Sequence, residues 1–124
     1  MVLKPEMPTV SRRSALLVAS SVYNDSQLSA LRSPGRDASL LRSALSNPHT
    51  AAFDVSVLRN TTLQKAAEAI EGFFLQAGRE ELLLLHLSCH GVKDEGGELH
   101  FAFRNTRLDR LASTAVSLVS PSES

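Results

Sequence analysis

A thiol, an imidazole and a glycine stand side by side at Cys89-His90-Gly91, directly behind Ser88 and the apolar run Leu82–Leu85. A cysteine within reach of a histidine is the pair that nucleophilic catalysis uses: the imidazole takes the thiol proton and the thiolate attacks. Adjacency in sequence does not supply that reach. On an extended backbone neighbouring side chains leave on opposite faces, so Cys89 and His90 are expected to point apart. Free cysteine is also among the most buried residue types, and Cys89 reads as an inert core thiol. His90, taken alone, reads as a satisfied histidine at a strand end.

The elements that must position these residues alternate. "SALLVASSV" (14–22) is a short apolar run suited to a buried strand, and "YNDSQLSALRSPG" behind it is full of turn formers. In the next segment Ala38, Leu41, Ala44 and Leu45 share one helical face, with Asp37 at the helix N-terminus and Asn47-Pro48 as the stop. In "AFDVSVL" (52–58), Phe53, Val55 and Val57 alternate with Asp54 and Ser56, the pattern of an edge or half-exposed strand. Thr61 and Gln64 fit a capping box; the helix behind it aligns Leu63, Ala66, Ala67, Ile70, Phe74 and Ala77, and Gly78 ends it.

"ELLLLHLS" has no polar alternation apart from His86, which reads as a core histidine with a hydrogen-bond partner. Such runs belong to central parallel strands covered on both faces. "VKDEGGELHFAF" reads as a hairpin turning at Gly96-Gly97, with Leu99, Phe101 and Phe103 in phase and His100 out of phase, facing solvent. "KDEGGE" is expected to be a solvated turn, not a metal loop. Strands alternating with amphipathic helices imply right-handed crossovers and a parallel sheet, here with the 52–58 strand at an edge and the leucine strand in the middle. Ligands of such sheets sit beyond the carboxyl ends of the strands, and Ser88 to Gly91 lie at one of those ends.

At 124 residues the chain suits a single domain. Its 13 basic and 13 acidic residues cancel, which argues against nucleic-acid binding. One cysteine excludes an internal disulfide and a Cys-rich zinc site and fits a reducing compartment. The four histidines show no tight helical pairing, so no metal is expected. Glycine spacing gives no phosphate loop. The apolar run Ala15–Ala19 behind Arg12-Arg13 is too short for a signal core or a membrane span, so a cytoplasmic, membrane-free protein is expected. Residues 1–13 read as a flexible lead, 14–117 as the folded unit and 118–124 as a disordered tail.

Together "ALLVASSVYND", "LRSPGRDASLLRSAL", "FDVSVLRNTTLQKAAEAIEGFF" and "EELLLLHLSCHG" resemble the caspase-like peptidases, most closely short prokaryotic members of the caspase and metacaspase clan, from about Ser14 to Ser117. The resemblance implies a three-layer α/β sandwich with a mainly parallel sheet in flavodoxin-like order. It implies Cys–His endopeptidase chemistry, with His90 as general base and acid and the Gly91 N–H as an oxyanion-hole donor. Asp37 matches an acidic position that in metacaspase-like members helps recognise a basic residue before the cut. True caspases hold an acidic residue with arginines, and Arg32 and Arg36 lie nearby, so both preferences stay open. The family usually has Gly where Cys89 stands. Its nucleophile lies about 50 residues past the histidine in caspases, a spacing that from His90 runs beyond Ser124. The sequence thus reads as the portion before the nucleophile strand, inactive alone, without a cofactor. Its partners would be a peptide substrate once completed, and a complementing chain or second copy at an exposed sheet edge. The alternatives are a non-catalytic caspase-like module that binds a full-length relative, and a flavodoxin-like binding domain.

Overall fold

A computed structural model describes residues 12–117. Three parallel strands, β1 (Arg12–Ala19), β2 (Asp54–Arg59) and β3 (Glu81–Ser88), form a sheet in the order β2-β1-β3. Helix α1 (Ser33–Ser46) connects β1 to β2, and α2 (Leu63–Leu75) connects β2 to β3. The pleat assigns one face to each helix. Leu16 and Val18 meet Leu63, Ala66, Ile70 and Phe73 of α2 together with Leu58, Leu85 and Leu87. On the opposite face, His86 pairs in register with the fully buried Leu17 and lines a groove with Leu41 and Ala44 of α1. The three layers are those expected.

Beyond β3 the chain leaves this sheet. Strands β4 (Gly91–Lys93), β5 (Leu99–Ala102) and β6 (Ala115–Ser117) make a small antiparallel sheet, with a 3-10 turn (Leu108–Arg110) and a short helix α3 (Leu111–Thr114) before β6. Phe101, Phe103 and Val116 pack this sheet against the α2-side core. Phe103 and Thr106 are fully buried, and the Thr106 hydroxyl accepts the Phe103 N–H at 2.7 Å while donating to the Thr114 carbonyl. Among the described residues no helix is long and apolar enough to cross a membrane.

Several expectations are corrected. The strand in the middle is β1, buried from Ser14 to Ala19, and not the leucine strand, which pairs on one side only among the described residues. An unbroken apolar run reports that both faces are covered; it carries no information on lateral neighbours. The 52–58 strand, observed as Asp54–Arg59, is at an edge among the described residues, as its alternation implies. Helix α1 begins at Ser33 with Pro34 in its first turn, so Asp37 sits one turn inside and not at the terminus. The cap of α2 is Thr62, whose Oγ1 accepts the Lys65 N–H at 3.2 Å, while Thr61 Oγ1 is buried without a partner among the described residues. Phe73, not Phe74, faces the core, and α2 ends at Leu75, before Gly78. The expected flexible lead and disordered tail lie outside the described residues, except that Arg12 and Arg13 already belong to β1.

Candidate functional site

The carboxyl ends of β1, β2 and β3 are joined by backbone bonds: Ser20 N–H donates to Ser88 C=O, and Asn60 N–H to Ala19 C=O, each at 2.9 Å. The loop after β1 is drawn over these ends. Asn60 takes a left-handed backbone (φ 54°), which asparagine tolerates better than most residues, and its Oδ1 accepts the N–H groups of Ser21 and Val22. Asp25 Oδ1 accepts from Gln27 N–H and Oδ2 from Leu108 N–H, tying the loop to the segment behind β5. These bonds, the Leu108 one foremost, hold the Asp25 carboxyl below its ordinary range.

His90 is fixed by this loop from two sides. Its backbone N–H donates to Tyr23 Oη at 2.9 Å, and Tyr23 Oη donates in turn to Ser20 C=O at 2.8 Å. The two rings stack obliquely, centroids 5.0 Å apart at 52°. The His90 Nε2 lies 2.9 Å from Ser29 C=O. A carbonyl only accepts, so Nε2 carries the hydrogen and Nδ1 is left as the basic nitrogen. Burial, foremost, pushes the Tyr23 phenol up from its ordinary pKa, so it stays a neutral hydroxyl beside the imidazole.

Gly91 opens β4 and stands opposite Phe101. Ala102 N–H donates to His90 C=O at 3.0 Å, which makes 90/102 the hydrogen-bonded pair of the ladder. In an antiparallel ladder the next pair is non-hydrogen-bonded, so the Gly91 N–H points away from β5. A Cβ at Gly91 would come within 3.0 Å of Leu99 Cδ1, so the strand passes here most easily without a side chain.

Cys89, although adjacent, makes none of the hydrogen bonds that hold His90. Its thiol is pushed up to about 11, chiefly by burial, which keeps it protonated and non-nucleophilic near neutrality.

Arg32 and Asp37 are both exposed, Arg32 at the N-cap of α1. Asp37 lines the α1 groove with Leu40, Leu41, Ala44 and His86. Among the described residues neither makes a hydrogen bond or ion pair to His90. His86 is half-buried in that groove, and its ring has no hydrogen-bond partner among the described residues, unlike the bonded core histidine expected.

His100 is a correction. It is buried, with Nε2 at 2.9 Å from Asp94 Oδ2 and 3.5 Å from Glu98 Oε2, because the 94–98 turn folds back over the face expected to be solvated. Sequence reasoning missed Tyr23 and Ser29 as partners of His90. They lie 67 and 61 positions away and carry no local pattern that marks them.

A family model of the caspase domain (peptidase C14) matches residues 12–115, which takes in the sheet, both crossover helices, His90 and the hairpin. A search of curated proteins found no match.

Proposed function

The chain belongs to the caspase-domain family, and on that premise we propose that it is the base-bearing portion of a caspase-like cysteine endopeptidase, with its nucleophile supplied by another strand. The observation that carries this reading is the tautomer lock on His90: with Nε2–H held by Ser29 C=O, Nδ1 is free to take a thiol proton and return it to the leaving amine. The outward Gly91 N–H fits an oxyanion-hole donor beside it. Cys89 does not serve as the nucleophile, since its pKa of about 11 leaves almost no thiolate near neutrality and it is the one cysteine in the sequence. Nothing else in the chain offers a thiolate.

A further strand has a place to bind. Ser88 C=O is taken by Ser20 N–H, so the even-numbered residues of β3 face β1 and the N–H and C=O groups of Leu83, Leu85 and Leu87 face an edge that no strand covers among the described residues. Arg32 follows directly on the loop that holds His90, a position suited to an acidic substrate side chain, whereas Asp37 lines a separate apolar groove.

The test is complementation. The chain alone should leave fluorogenic peptides uncut. Mixed with a full-length caspase-fold relative whose own catalytic histidine is replaced by alanine, it should restore cleavage, and His90→Ala should abolish that gain. A second reading shares the open β3 edge: a non-catalytic module that pairs with a relative. It is favoured if the two chains bind, no cleavage appears, and binding survives His90→Ala.

A further inference from the structure

We propose that Asp94, Glu98 and His100 form a divalent transition-metal site, of the zinc type, on the β4–β5 hairpin. One ligand atom from each lies within 4.8 Å of the others, and the imidazole nitrogen is 2.9 Å and 3.5 Å from the two carboxylate oxygens. Zinc bonds of about 2.0–2.2 Å in a tetrahedron set neighbouring ligand atoms about 3.3–3.5 Å apart, so the three groups already stand near the spacing the ion needs. Two carboxylates balance the ion's charge, and the fourth position falls to water.

The burial of His100 is the independent observation. Its side chain is only 6% exposed, and Nδ1 is buried with no partner among the described residues. Burying an imidazole with one nitrogen unpaired costs free energy that a leucine at this position would avoid. What the ring provides in return is Nε2, aimed out at Asp94 and Glu98. The carboxylates are held in place: Asp94 Oδ1 accepts the Glu98 N–H at 2.9 Å, leaving Oδ2 toward the ring, and Gly97, at φ 86°, lets the turn close. Orientation of a ligand by such outer bonds is typical of metal centres. An imidazole in the set disfavours calcium and magnesium, which take oxygen ligands.

The site does not depend on the peptidase reading, and its test uses no substrate. The full chain, stripped with a chelator, is titrated with zinc against a chromophoric competitor, and with cobalt to read the absorption of a tetrahedral ion. Zinc should bind and raise the melting temperature, and an excess of calcium should not displace it. Asp94→Asn and Glu98→Gln, which keep shape and fold, should each weaken zinc binding at least tenfold, the scale already seen when a metal ligand's outer partner is lost. Cys89→Ala and His49→Ala should leave it unchanged. Absence of zinc binding below millimolar concentration, binding unaltered in both carboxylate variants, or displacement by calcium would each overturn the proposal.

Discussion

At the scale of single residues, the contrast between Cys89 and His90 shows how little adjacency decides. The thiol, raised from its ordinary 9.0 to about 11 by burial, should react with iodoacetamide at pH 8 about a hundredfold or more slowly than a free cysteine, as its thiolate fraction falls. The same shift has a sign for stability. The unfolded thiol loses its proton near 9.0 and the folded one near 11, so the contribution is full below pH 9 and lost as pH rises to about 11. Comparing urea midpoints of the chain and Cys89→Ala across that window checks this; a parallel decline in both would exclude it. Tyr23→Phe removes an acceptor from the His90 N–H and a donor from Ser20 C=O, and should cost about 1–3 kcal/mol, seen as a lower urea midpoint at constant slope. The place of His90 at the carboxyl end of the sheet is legible, because a polar quartet ends an apolar strand. Its partners are not, since contacts across 67 and 61 positions depend on how one loop is drawn over the sheet.

At the scale of elements, the end of β2 is the hinge of that arrangement. Asn60→Ala removes two hydrogen bonds to the β1 loop and strains a left-handed backbone, whereas Asn60→Gly removes the bonds alone. The alanine variant should be the less stable by about 1 kcal/mol, measured by thermal unfolding. Alternating strands and helices were readable because period 2 and period 3.6 separate well in β2 and α1. The hairpin was readable from Gly96-Gly97. What escaped was non-local. Its phase against the apolar row points His100 to solvent, yet the turn that precedes it supplies two carboxylates that cover it. The α2 cap moved from Thr61 to Thr62 because Asn105 Oδ1, from the far side of the hairpin, already accepts the Leu63 N–H.

At the scale of the whole molecule, the sheet is asymmetric among the described residues: β1 is flanked on both sides, β2 carries an exposed polar row, and the leucine-rich β3 has no strand on its outer side. The chain should therefore self-associate with rising concentration in light scattering. Leu82→Lys, at a residue 47% exposed, should shift it toward monomer without loss of helical signal. A monomer at all concentrations would instead mean that the edge is closed. The two sides of β1 also set a clock. Its amides are paired in alternation to β2 and β3, so those of Leu16, Leu17 and Val18 exchange with deuterium only when the sheet opens as a whole. Those of Leu83, Leu85 and Leu87 face no strand among the described residues and exchange without unfolding. Protection appearing at these three positions, while β1 stays unchanged, would time the arrival of whatever strand completes the sheet.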